Sequence, residues 1–227
     1  MGQLMSSLIH DINNPLTVVC GNAQMLAMRW NGKLEADDLK KVKQIDECGR
    51  RAAGILQRLL KFSRPAGEDM VAIVMDKVIK NTIELAHGQL SFENVALEVA
   101  LNGGCEVLGN EMQLEEVIWN LLNNAWQAME GKGKIRVVSE LSNRNIRIIV
   151  EDNGPGIPPE VTRKIFQPFY TTKKEGTGLG LYITHLIVLA HRGKIFCQSE
   201  IGKGTQFIVE VPIYEGRMTR GLWRKPR

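Results

Sequence analysis

Two apolar seams at the start of the chain constrain its fold more than any other feature. Met5, Leu8, Ile12, Pro15, Val19, Asn22 and Leu26 recur at alternating steps of three and four. Val42, Ile45, Gly49, Ala52, Leu56, Leu59 and Ser63 repeat that stepping after a break at Asn31-Gly32-Lys33. Heptad-like stepping predicts two helices, over residues 1–30 and about 36–63, with Cys48, Ile55 and Phe62 widening the second apolar face. Pro65-Ala66-Gly67 stops the second helix. One helical hairpin cannot bury two such faces by itself. Two copies can, as an antiparallel four-helix bundle, so a homodimer is expected.

Beyond Gly67 the pattern changes. A short strand is predicted at Val71–Met75, a helix near 76–88 and a strand at Ala96–Leu101. A long helix is predicted at Asn110–Glu130, with Leu114, Val117, Ile118, Leu121, Leu122, Ala125 and Met129 on its apolar face. Ile135–Glu140 and Ile146–Glu151 alternate as strands around a turn at Ser142-Asn143. A short helix near 159–165, a longer one over about 179–191 and a last hairpin, Ile195–Ser199 with Gln206–Val211, complete the pattern. Mixed elements and a largely hairpin-connected sheet predict an α+β sandwich with helices over one sheet face. The fold class expected is therefore multidomain, α and α+β. The expected division is a helical dimerisation domain at 1–66, an α/β sandwich at 67–214 and a basic tail at 215–227.

Composition excludes several classes. The chain has 227 residues, 44% apolar and 24% charged, which suits one large or two small folded domains. The longest strongly apolar run, Leu186–Ala190, is far short of the ~18 residues a membrane span needs. Met1–Ser6 has no basic segment followed by an apolar block, so it does not read as a secretory signal. Residues 215–227 carry the whole net charge of +4 and leave residues 1–214 neutral. A basic tail on a neutral body is only weak evidence for nucleic-acid binding; a solvated C-terminal end is the expected reading, with no nucleic-acid partner. Cys20, Cys48, Cys105 and Cys197 form no Cys-x-x-Cys pair, and a reducing cytoplasm is the expected location.

Two glycine runs carry the first chemical signal. Asp152-Asn153-Gly154-Pro155-Gly156-Ile157 ends a strand, and Gly176-Thr177-Gly178-Leu179-Gly180-Leu181 opens a helix. The second run has neither dinucleotide-binding nor Walker spacing. Glycines let backbone approach a ligand and a helix start offers free N–H groups to an anion, but either run alone also fits a plain turn. Asn120 and Asn124, four apart on one helix face, interrupt an otherwise apolar segment. Read blandly, they are a solvated stripe. Read chemically, their amide oxygens suit a hard cation such as Mg²⁺ beside phosphate oxygens.

Taken together, residues 110–211 resemble the ATP-binding domain of bacterial sensor histidine kinases, a relative of gyrase, Hsp90 and MutL. Asn120–Ala125 resembles the asparagine box, Asp152–Ile157 the first glycine box, Phe166–Lys173 the phenylalanine box and Gly176–Leu181 the second glycine box. Gly202-Lys203-Gly204-Thr205-Gln206-Phe207 fits a late Gly-x-Gly-Thr-x-Phe element. Ser7-Leu8-Ile9-His10-Asp11-Ile12-Asn13-Asn14-Pro15-Leu16 resembles the histidine box of the same kinases. His10 is two residues from both Leu8 and Ile12, about 200° round the helix, and so is expected to point away from the seam.

The resemblance implies phosphoryl transfer from Mg²⁺-ATP to His10 and then to an aspartate of a response-regulator receiver domain. It implies that Asp11 orients the His10 ring, that Asn124 binds Mg²⁺ with support from Asn120, and that Asp152 accepts from the adenine amino group with Thr205 nearby. Gly154, Gly156 and Ile157 would line the base. Lys173 and Gly176, Thr177, Gly178, Leu179, Gly180 and Leu181 would face the phosphates, and residues 170–178 would form a lid. Asn14, one turn from His10, is expected to serve dephosphorylation of the regulator by positioning a water. His87, His185 and His191 are read as structural or surface residues. With nine residues before His10, the expectation is an excised core, the cytoplasmic part of a larger sensor, rather than a small kinase signalled by a partner. Two other classes compete. One is an ATP-binding scaffold or phosphatase-dominant regulator without significant kinase activity, against which the His10-Asp11 pair speaks. The other is a mechanical ATPase, which needs a glutamate base where Asn120 stands.

Overall fold

The computed structural model describes residues 16–28, 38–47, 49, 70–173 and 176–215. The chain divides into two compact units, Met1–Pro65 and Ala66–Arg227. In the first unit residues 16–28 (α1) and 38–47 (α2) are helical. The seam positions Met5, Leu8, Ile12, Pro15, Ala52, Leu56, Leu59 and Ser63 lie outside the described residues, as do His10, Asp11, Asn14 and the basic tail beyond Glu215.

Small and polar residues join α1 to α2. Ala23 is buried, and Gly49 is packed so closely that a Cβ there would run into Cys20 Sγ. Gln24 Nε2 donates to Asp46 Oδ1 at 2.8 Å, and Cys20 Sγ donates to the Asp46 carbonyl at 3.8 Å. The larger seam residues point elsewhere: Val19, Leu26 and Ile45 remain 46%, 49% and 48% exposed on the single chain. The described part of the hairpin thus closes on small side chains and leaves much of its large apolar surface outside.

The second unit begins with β1 (Val71–Val74) and α3 (Met75–Gln89), followed by β2 (Val95–Leu101) and β3 (Glu106–Gly109). Next come α4 (Glu111–Ala128), β4 (Gly133–Ser142), β5 (Asn145–Asp152) and a single turn of helix, α5 (Pro159–Thr162). α6 (Gly180–Ala190), β6 (Lys194–Glu200) and β7 (Gly204–Pro212) complete it. Five strands form one sheet in the order β2-β4-β5-β7-β6, while β1 and β3 pair separately. β4–β5, β5–β7 and β7–β6 are antiparallel and β2–β4 is parallel.

Alternation explains the layers. Ile135 and Val137 of β4, Ile146, Ile148 and Val150 of β5, and Phe207, Val209 and Val211 of β7 are all at most 3% exposed and share one face. Helices α4 and α6 cover that face, with α3 packed on α4. The other face carries charge: Arg147 sits between Glu140 and Glu210, bonding them at 3.5 and 2.9 Å. β3 is a strand that the alternation pattern did not reveal. It has only four residues, ends in Gly109, and owes its existence to antiparallel pairing with β1. The helix expected from residue 76 starts at Met75, so the preceding strand ends at Val74.

Candidate functional site

Helix α4 is the spine of the site. Asn110 caps it, accepting from the Gln113 N–H at 3.1 Å, and Leu114, Val117, Ile118, Leu121, Leu122 and Ala125 are its buried side. Asn120 and Asn124 lie on another stripe, which Gln127 continues three residues on. Asn120 Nδ2 donates to Thr184 Oγ1 at 3.4 Å, and Thr184 Oγ1 donates to the Gly180 carbonyl at 2.9 Å. The N-terminus of α6 is thereby set opposite Asn120. Leu179, fully buried, anchors the loop just before it, while Gly176 and Thr177 are exposed and Gly178, Gly180 and Leu181 partly so. The free N–H groups at the start of α6 form an anion-binding end.

Lys173 meets the same stripe further along. Its Nζ donates to Gln127 Oε1 at 2.6 Å and to Asn124 Oδ1 at 3.3 Å. Loss of water around the ammonium lowers its pKa. Gly178 adopts φ +66°, and a Cβ there would run into the Phe169 carbonyl group, so only glycine fits the tight return of this loop.

Asp152 is at the other end, 4% exposed at the close of β5. Its Oδ1 accepts from the Gly154 N–H at 2.9 Å, a turn that starts the first glycine loop. Burial raises the Asp152 pKa above the usual aspartate value; backbone bonds from Gly154 and Thr205 oppose the rise, and Glu151 adds slightly to it. Thr205 is the direct cross-strand neighbour of Asp152. Gly156, at φ +76°, packs on the Glu200 carbonyl, again leaving no room for a Cβ. A cleft of about 340 Å³ is lined by Glu151, Gln198 and Gln206, which share the sheet face away from the helices, together with Asp152, Ser199, Glu200, Lys203, Gly204 and Thr205; it includes no residue of α4.

Ser199 was not among the residues singled out in the sequence. Its Oγ accepts from the Ile157 N–H at 2.7 Å, donates to the Gly204 carbonyl at 2.8 Å, and lies 2.9 Å from Thr205 Oγ1. Having one proton, already given to Gly204, it receives the Thr205 hydroxyl. One serine thus ties the first glycine loop to the late glycine element. Gln127 was likewise unread, although it extends the step of four between Asn120 and Asn124 by a step of three. His191 is structural: Nδ1–H donates to the Ile187 carbonyl at 2.8 Å, and Nε2 accepts the Asn110 N–H at 3.0 Å. His87 is exposed beside Phe92, and His185 lies beside Phe166.

The structure therefore brings together Asn120, Asn124, Lys173, Gly180 and the α6 start at one end, and Asp152, Gly154, Gly156, Ile157 and Thr205 at the other. Asn120 and Met129, the residue that ends α4 beside Gly154, are nine residue steps apart, roughly 13.5 Å along the helix axis. The fit to a hard cation rests on donor chemistry: two amide oxygens, one of which, on Asn124, already accepts from an ammonium ion. No cluster of three His, Cys, Asp or Glu residues suited to a metal occurs among the described residues. Cys197, beside Asp152, is pushed up to about 12 by burial and by that carboxylate, so its thiol stays protonated and unreactive.

Comparison with known proteins agrees with this layout. Residues 109–215 match the histidine kinase-, DNA gyrase B- and HSP90-like ATPase family, and residues 1–68 match the His Kinase A (phospho-acceptor) domain. The signal transduction histidine-protein kinase AtoS of Escherichia coli is 33% identical over 94% of this chain and 35% of its own length. The sensor histidine kinase ZraS of Escherichia coli is 32% identical over 94% of this chain and 46% of its own length. The chain thus spans between a third and a half of those relatives. The solved catalytic domain of histidine kinase ThkA is 32% identical, covers 63% of this chain and 95% of its own, and superposes with a TM-score of 0.59. Full-length ShkA, at 24% identity, shares the fold over 94% of this chain and 46% of its own, with a TM-score of 0.67. No described helix is long and apolar enough to cross a membrane. The two matched regions, in this order and over this much of the chain, make it a member of the two-component sensor histidine kinases, comprising their phospho-acceptor and ATP-binding regions.

Proposed function

We propose that this chain phosphorylates its own His10 from Mg²⁺-ATP and passes the phosphoryl group to an aspartate of a response-regulator receiver domain. The observation that carries the reading is the layout of polar groups about α4: amide oxygens and the α6 start at one end, a buried carboxylate at the other. A ligand that is anionic at one end and a hydrogen-bond donor at the other matches those two ends. Asp152 accepts from the adenine amino group, with Thr205 beside it and Gly154, Gly156 and Ile157 along the base. Lys173 and residues 176–181 take the phosphates. Asn124, supported by Asn120, would hold Mg²⁺, which neutralises charge on the phosphates during transfer.

In the transfer step a ring nitrogen of His10 forms the N–P bond as the bond from the γ-phosphorus to its bridging oxygen breaks, and ADP departs with that electron pair. In its neutral form the His10 ring has an unshared electron pair on one nitrogen and can act as nucleophile. Asp11 holds the other ring N–H and balances the positive charge that forms on the ring. Asn14 positions water for removal of the phosphoryl group from the regulator, and the protein works as a homodimer through its N-terminal helices.

Incubation with labelled ATP and Mg²⁺ tests the reading. Acid-labile, base-stable label on the protein is expected, absent in His10→Gln although that variant still binds ATP. No label on the parent, or label surviving in His10→Gln, overturns it. Asn14→Ala is expected to keep autophosphorylation and to slow regulator dephosphorylation at least about tenfold, within the range of positioning effects.

A further inference from the structure

Lys173 is held at two points, and they are unequal. The 2.6 Å contact to Gln127 Oε1 is a short bond from a charged donor, whereas the 3.3 Å contact to Asn124 Oδ1 is near the limit of a useful one. Gln127 and Asn124 are three residues apart on α4, so their side-chain oxygens form a two-point cradle for one cation. Gln127 is exposed and belongs to no glycine or asparagine motif.

We propose that Gln127 is a positioning residue for the nucleotide, the pivot of Lys173. In the structure the ammonium bridges Gln127 and Asn124. When nucleotide binds, Lys173 gives up only the weak Asn124 contact, keeps Gln127, and turns its remaining N–H donors to the terminal phosphates. The same movement frees the Asn124 oxygen for a hard cation. A lysine has three N–H donors, so it can keep one partner while changing another. An anchored lysine has also already lost most of its rotamer freedom, so ordering it on a phosphate costs less than ordering a free one. The inference rests on the nucleotide-site reading above.

Calorimetric titration of ATP and of AMP, both with Mg²⁺, into the parent, Gln127→Met, Lys173→Met and the double variant tests it. Methionine keeps the length of glutamine without its oxygen, and the exposed position keeps the core out of the comparison. Gln127→Met is expected to weaken ATP about tenfold and to leave AMP within about twofold, since AMP lacks the terminal phosphates. In the Lys173→Met background the same substitution is expected to change ATP affinity by less than about twofold, the two residues acting as one unit. Equal losses for ATP and AMP, additive losses in the double variant, or parent-like ATP affinity in Gln127→Met each overturn the pivot. A parent that binds no ATP removes the nucleotide-site reading and the pivot together; a parent that binds ATP with additive variants removes the pivot alone.

Discussion

A carboxylate that is 4% exposed and has a raised pKa is costly to keep ionised, and Asp152 is such a group. Its folded pKa lies above its unfolded one. It therefore stabilises the fold only at low pH and opposes folding once pH rises through the folded value. Asp152→Asn removes that opposition and keeps an oxygen for the Gly154 N–H. It is expected to retain or raise the melting temperature while ATP affinity, read by calorimetry, falls at least tenfold, a buried donor–donor mismatch costing about 1–3 kcal/mol. Unchanged ATP binding would remove Asp152 from the site. His191 has the opposite sign. Burial lowers its pKa, with the Ile187 carbonyl opposing, so the neutral ring contributes stability above the unfolded histidine value that is lost as pH falls toward the folded one. Protonation would also set Nε2–H against the Asn110 N–H it now accepts. The parent's melting temperature should drop between pH 7.5 and 5.5. His191→Phe should be less stable at pH 7.5 and show a flatter dependence; parallel curves would mean that another group titrates.

At the scale of elements, the loop ahead of α6 shows how backbone geometry reaches the site. Gly178→Ala forces a left-handed residue and a clash with the Phe169 carbonyl, a strain of about 1–2 kcal/mol at least. The domain should fold, with a lower melting temperature and weaker ATP binding than AMP binding relative to the parent. An equal effect on both nucleotides would place the loop away from the terminal phosphates. Helix α4 was legible in the sequence because Leu114 to Ala125 repeat with the helical period and cannot fit a strand. Asn120 and Asn124 stood out because they interrupt an otherwise apolar run and share a face of their own. The last two hairpins were legible from alternation. β3 was not, since four residues ending in glycine carry almost no period and become a strand only by pairing with β1. Nor was the parallel pairing of β2 with β4, which depends on register across the whole of α4 rather than on local pattern. Gln127 and Ser199 escaped for the same reason: each acts on a partner between 5 and 46 residues away, through hydrogen bonds that composition cannot display.

For the whole molecule, the first unit bears on assembly. Val19, Leu26 and Ile45 are about half exposed on one chain, a surface that a second copy would cover. Light scattering at micromolar concentration is expected to give about twice 25.4 kDa. Leu26→Asp, which would bury a charge in that contact, should shift the mass toward one copy and reduce His10 phosphorylation with it. A parent measured as a monomer that still phosphorylates at full rate would refute the bundle.

The place of β7 in the sheet has a consequence for how the chain is made. β7, the last of the described strands, lies in the interior of the sheet, between β5 and β6, and pairs Asp152 with Thr205. At a synthesis rate of about 5–20 residues per second, roughly 3–12 s separate the emergence of β5 from that of β7. Through that interval β5 has β4 on one side and a bare hydrogen-bonding edge on the other, with Ile146, Ile148 and Val150 half-covered. A nascent chain therefore passes through a vulnerable stage before β7 emerges, when a chaperone or a neighbouring nascent chain meets an open strand. The carboxylate on β5 and the threonine on β7 become neighbours only when that edge closes, so this end of the candidate site is assembled in a single step, once β7 has been made.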